Sequence, residues 1–181
     1  GQQMVELVEE APFAALLERA GMLVEQCAAK ILETEADVVG FSMFTTNARF
    51  TAEVARLVHQ RDSNRRIIFG GPSCKVTGER QWVGAGLAEA WICGDGEDAL
   101  PAVLEGEEEE CPTGVILGVE TDPGFALEHC VAGDLETYPF PDYDDLPPSS
   151  YDRRSRRGEP VLPIVASRGC IMRCAFCNER S

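Results

Sequence analysis

The stretch Asp37-Val38-Val39-Gly40-Phe41-Ser42-Met43-Phe44, followed by Thr45-Thr46-Asn47, decides how the chain is read. It is apolar, rich in β-branched and aromatic residues, and too short for a helix. It therefore predicts a strand buried on both faces, as in a parallel sheet. The polar residues after it carry helix-capping chemistry. Phe50, Val54, Leu57 and Val58 then recur at helical spacing, which predicts a helix to about Arg61. The pattern repeats downstream. Residues 66–69 form a second apolar run that leads into Gly70-Gly71-Pro72. Residues 90–93 form a third, leading into Gly94-Asp95-Gly96-Glu97 and a helix through about Leu104. Glu97 and Asp98 are expected in the first turn of that helix, where the dipole favours acids.

Working outward, Pro12 suits a first helical turn. Leu16, Leu17, Ala20, Leu23, Val24, Cys27 and Ile31 mark an amphipathic helix over about 13–33, which Gly21 interrupts at modest cost. Residues 4–8 read as a short strand, 78–86 as a helix and 114–119 as a strand. This alternation predicts an α/β fold with a doubly wound parallel sheet. In such sheets ligands lie at the carboxyl ends of the strands, where the polar and glycine-rich loops fall. Small residues there let the backbone approach a flat ligand, and the hydroxyls of Ser42, Thr45 and Ser73 are candidate donors to it.

From Glu105 the pattern weakens. Glu105 and residues 107–110 form an acidic surface run, and 137–151 (TYPFPDYDDLPPSSY) reads as an extended linker. The expected organisation is an α/β domain over 1–140, a linker over 141–160 and a final segment over 161–181. Net charge is −15 over 181 residues, with 16 basic and 31 acidic side chains. That balance argues against nucleic acid or an anionic membrane as a partner. No apolar run is long enough to span a bilayer. Eight cysteines in an acidic chain without a leader pattern point to a reducing, cytoplasmic setting. Cys27, Cys74, Cys93, Cys111 and Cys130 are scattered and read as packing or surface residues.

The remaining three cysteines, Cys170, Cys174 and Cys177, sit in the spacing CxxxCxxC. That spacing lets three thiolates converge on one soft metal centre. Three ligands leave one corner of a four-iron cluster open; zinc with a fourth ligand is the alternative. The motif resembles that of the radical S-adenosylmethionine superfamily, with Phe176 in its aromatic slot. The resemblance implies a 4Fe-4S cluster on Cys170, Cys174 and Cys177, with S-adenosylmethionine bound at the open iron near Phe176. It also implies a 5′-deoxyadenosyl radical as the reactive species. Residues 161–166 would be the first barrel strand, although Pro163 is unusual inside a strand. A barrel of that type needs on the order of 200 residues. The chain is therefore expected to hold only the start of a truncated (β/α) barrel and to be inactive alone.

The three upstream loops together resemble the flavodoxin-like, cobalamin-binding domain that precedes the barrel in many such enzymes. Ser42-Met43-Phe44 matches its serine turn, with Phe44 where leucine is usual. Gly70-Gly71 matches its glycine pair, and Gly94-Asp95-Gly96-Glu97 its last turn with one conservative change. The resemblance implies cobalamin contacts from Ser42, Met43, Phe44, Thr45, Gly70, Gly71, Pro72, Gly94, Gly96 and Glu97. The family's cobalt-ligating DxHxxG motif has no match, since His59 falls in a helix pattern and His129 near the linker. Either its place precedes Gly1 and the sheet lacks its first strand, or the chain resembles those relatives that hold cobalamin without a lower protein ligand. The implied activity is a cobalamin-dependent radical-SAM enzyme, with methyl transfer to an unactivated carbon as the leading reaction. Its partners would be a small-molecule or peptide substrate and an electron donor such as flavodoxin or ferredoxin. A methylthiotransferase-like enzyme and a non-catalytic cobalamin-binding module are the alternatives.

Overall fold

The computed structural model describes residues 10–75, 83, 86–106, 114–117, 134–140, 142, 158–159, 161 and 168. The expected strand at 4–8, most of the helix at 78–86, Cys111, His129, Cys130 and the whole 169–181 cysteine segment lie outside the described residues. The chain divides into two units, Gly1–Leu135 and Glu136–Ser181. A 3-10 turn (Leu135–Thr137) falls at the division between them.

The first unit runs α1 (Glu10–Leu32), β1 (Val38–Ser42), α2 (Ala48–Arg61), β2 (Arg66–Gly70), a 3-10 turn (Pro72–Lys75), β3 (Ala90–Ile92), α3 (Ala99–Glu105) and β4 (Val115–Leu117). The strands form one sheet in the order β1-β2-β3-β4. β1 pairs with β2, and β2 with β3, in parallel, whereas β4 runs antiparallel to β3. The parallel α/β expectation therefore holds for three strands and fails at the fourth. No helix of the described residues is long and apolar enough to cross a membrane.

Strand alternation sorts the core onto two faces. Ile67, Phe69, Trp91 and Cys93 pack with Ala48, Ala52 and Ala55 of α2. Ile68, Ala90 and Ile92 pack with Ala99 and Val103 of α3. Small alanines on α2 let it lie close to the sheet. Its other apolar side, Val54 and Val58, packs against Ala28 and Val24 of α1. Across the α2 face the rings of Phe41, Phe69 and Trp91 stack in register, with centroids 5.4 and 4.7 Å apart. Such pairs contribute about 1 kcal/mol each beyond their burial.

The 37–44 stretch departs from its expected two-sided burial. β1 stands at the edge of the described sheet, and Gly40 and Ser42 are exposed while Val39 is buried. Glu97 and Asp98 also differ. Asp98 is the N-cap of α3 without a side-chain cap bond, and no acid occupies the first turn. The third loop extends two residues further than the charge pattern suggested.

Two consecutive arginines at the start of β2 hold helix ends. Arg65 donates to the carbonyls of Ile31 (3.0 Å), Leu32 (3.2 Å) and Thr34 (2.9 Å), closing the C-terminus of α1. Arg66 forks onto the Glu89 carboxylate and reaches the carbonyls of Val103 (2.8 Å) and Leu104 (3.2 Å) at the end of α3. Each supplies donors to carbonyls that a helix leaves unpaired, at the pole where positive charge is favoured. Arg65 also binds Asp62 (2.8 Å). The Arg65 hydrogen bond, with the Asn64 backbone N–H after it, holds the Asp62 carboxyl below its ordinary value.

Arg65→Ala should lower stability by about 2 kcal/mol, the scale for charged hydrogen bonds lost at once, read as a drop in the urea midpoint. Because Asp62 has a lowered pKa in the folded state, its contribution is present above the ordinary carboxylate range, about pH 4. It is lost as pH falls through the lowered value. Arg65→Ala should therefore flatten the stability-pH profile below about pH 4; an unchanged acid slope would contradict this assignment.

Candidate functional site at the carboxyl edge of the sheet

Parallel pairing brings the three sequence-predicted loops to one edge. Ser42 is the register partner of Gly70, so the turns after β1 and β2 leave the sheet side by side. The 93–98 loop follows β3 at the same edge. Thus Ser42, Met43, Phe44, Thr45, Gly70, Gly71, Pro72, Gly94, Gly96 and Glu97 all lie at the strand ends where an open α/β sheet takes ligands.

A backbone junction joins the first two loops. The Met43 N–H donates to the Gly70 carbonyl (2.7 Å), and the Ser73 N–H donates to the Met43 carbonyl (3.1 Å). The Cys74 N–H closes the turn onto the Gly71 carbonyl (3.1 Å). Gly71 sits between these bonds at φ +97°. A Cβ there would meet the Met43 carbonyl oxygen at 2.7 Å, the Met43 nitrogen at 2.9 Å and the Ser42 Oγ at 3.1 Å. Only glycine combines that φ with so close a backbone approach. Gly70 and Gly96 are different. A Cβ on Gly70 would meet nothing nearer than the Ile92 carbonyl at 4.0 Å, and one on Gly96 nothing within 4 Å. Among the described residues, those two positions are uncrowded. Gly94 turns the third loop at φ +122°.

The side chains divide between support and surface. Met43 is wholly buried and Ser73 is 2% exposed, so both anchor the loops from beneath. The Ser73 Oγ faces the Thr45 Oγ1 at 3.5 Å. The predicted donor role of Ser73 toward a ligand thus gives way to a tie between loops. Phe44, Thr45 and Pro72 are exposed. The Gly96 carbonyl accepts the Leu100 N–H (2.9 Å) and so links the third loop to α3. In the cluster beneath, the Trp91 indole N–H is buried without a hydrogen-bond partner among the described residues. Sequence reasoning missed Asn47. Its position before α2 signals a helix cap, but its side chain turns back onto the loop and makes no cap bond.

His59 lies in the last turn of α2. That is the far end of a 14-residue helix from these loops, about 20 Å along its axis. It is no ligand for a group at this edge, as its helical pattern implied. Cys74 and Cys93 are wholly buried in the core, and Cys27 packs beside the α1–α2 contact, which matches their reading as packing residues. Among the described residues, no group of three or more His, Cys, Asp and Glu side chains could hold a metal. The cluster candidates Cys170, Cys174, Cys177 and Phe176 lie outside those residues. A separate groove of about 630 Å³ runs between α1 and α2, lined by Gly21, Val24, Phe50 and Leu57 among others. It flanks the helices and does not open at the three loops.

Gly71→Ala should cost about 3 kcal/mol, from its positive φ and the collision with Met43 backbone. Gly40→Ala, with nothing within 4 Å of the added methyl, should change stability by less than about 0.5 kcal/mol. Denaturant unfolding of the two variants checks the contrast, and equal losses would contradict the junction.

Two comparisons bear on this edge. The chain is 26% identical over 157 residues to a Pyrococcus horikoshii protein named as an uncharacterized methyltransferase. The match covers 83% of this chain and 33% of that relative, so the chain spans about a third of the length of the curated relative it matches. Residues 12–104, just over half of the chain, match the model of the B12 binding domain, and this span contains all three loops. Gly71 pressed on Met43, with Gly70 and Gly96 uncrowded among the described residues, fits a large planar cofactor lying on the strand ends. The chain belongs to the B12-binding domain family.

Proposed function

We propose that this protein is the cobalamin-binding part of a radical-SAM methyltransferase. Three loops on one sheet edge, within a B12-binding domain, carry the reading. The methyltransferase name of the Pyrococcus relative supports the reaction class. When bound, cobalamin supplies methyl-group transfer, and a 4Fe-4S cluster with S-adenosylmethionine supplies one-electron removal of hydrogen from an unactivated carbon.

The chain's own residues divide the remaining work. Backbone at Gly70, Gly94 and Gly96 gives close approach, Ser42 and Thr45 offer hydroxyl donors, and Phe44 and Pro72 cover apolar surface from water. Glu97 closes the third loop at the same edge. Cys170, Cys174 and Cys177 hold the cluster as thiolates, with Phe176 beside the bound S-adenosylmethionine. Residues 141–160 link the two modules, and 161–181 begin the catalytic one. A small-molecule or peptide substrate and a flavodoxin or ferredoxin electron donor complete the system.

The test is anaerobic reconstitution of the full-length protein with iron, sulfide and hydroxocobalamin, beside Cys174→Ala. Retention of about one corrinoid and about four irons per chain is expected. The variant should lose the iron and keep the corrinoid. Zinc in place of iron would overturn the radical-SAM half, and failure to retain corrinoid would overturn the cobalamin half.

A further inference from the structure

Phe44 is 49% exposed at the carboxyl edge. Exposure alone is ordinary for a single apolar residue. What sets Phe44 apart is how firmly its backbone is held. Its N–H donates to the Asn47 Oδ1 (2.7 Å). Its carbonyl accepts both the Asn47 N–H (3.0 Å) and the Ala48 N–H (2.8 Å). The same Asn47 side chain donates through Nδ2 to the Ser42 carbonyl (3.2 Å) at the end of β1. One amide therefore ties the strand end and Phe44 together. An asparagine before a helix ordinarily directs its side chain to the helix N–H groups. Here α2 has no side-chain cap, and Asn47 itself is near-helical at φ −119°, ψ −6°. The capping group serves the loop instead, and the ring is what remains of Phe44 to make contacts.

We propose that Asn47 is a positioning residue that holds Phe44 as one wall of the corrinoid site. The inference rests on the cobalamin reading above. Residues 42–44 leave the sheet beside Gly70-Gly71 through the Met43–Gly70 bond, so Phe44 stands, half exposed, at the same strand-end edge. An aromatic wall fixed before binding avoids the ordering cost of a mobile one. An amide is required because it must accept from Phe44 and donate to Ser42 at once. Aspartate can only accept when ionised, and alanine does neither.

The experiment is an absorbance titration of the full-length protein with hydroxocobalamin, for the unaltered chain, Phe44→Ala, Asn47→Ala, Asn47→Asp and the double variant Phe44→Ala/Asn47→Ala. Thermal midpoints are measured alongside. Phe44→Ala and Asn47→Ala should each weaken binding on the order of tenfold. The double variant should bind no more weakly than Phe44→Ala, because the two residues act as one unit. Asn47→Asp, which keeps one of the two bonds, should fall between the unaltered chain and Asn47→Ala. Phe44→Ala should leave the thermal midpoint nearly unchanged, which separates lost contact from lost folding. Full affinity in Asn47→Ala, or losses that multiply in the double variant, would overturn this inference alone. Absence of binding by the unaltered chain would overturn the cobalamin reading beneath it.

Discussion

The contact between Gly71 and the backbone of Met43 is the constraint on which the site depends. Two loops from neighbouring parallel strands meet there through backbone contacts, with the Ser42 Oγ beside them. The Met43 N–H extends the β1–β2 ladder one step past the sheet, and the Ser73 N–H answers from the other loop. A positive φ at Gly71 lets the chain fold back over Met43. Because Met43 and Ser73 are buried, the junction is fixed from below.

The rest of the fold keeps this edge in place from the opposite end of the sheet. Alternation along β2 and β3 sends Phe69 and Trp91 toward α2 and Ile68 and Ile92 toward α3. Arg65 and Arg66, adjacent in the chain, close the C-termini of α1 and α3 respectively. The strand starts are thus held by charged side chains on helix carbonyls, and the strand ends by backbone contacts and glycine.

Much of this was legible in the sequence. The apolar runs at 37–44, 66–69 and 90–93, each ending in small or polar residues, give the three parallel strands and locate the loops. Periodicity gives α1 and α2 to within a few residues. What escaped has physical reasons. The antiparallel direction of β4 depends on pairing with β3, which local pattern does not encode. Gly40 is exposed on a strand that is outermost among the described residues, and composition alone cannot tell such a strand from a central one. Asn47 read as a cap because its position is a cap position; only three-dimensional geometry shows its amide turned toward Ser42 and Phe44. Ser73 likewise carried donor chemistry, but its side chain is buried, with Thr45 Oγ1 3.5 Å away.

The most direct measurement is a crystal structure of the full-length protein bound to hydroxocobalamin. The account predicts the corrinoid against residues 42–45, 70–73 and 94–97, with Gly71 still packed on Met43 and the ring of Phe44 in contact with the ligand. A corrinoid seated in the groove between α1 and α2, with these three loops bare, would contradict it.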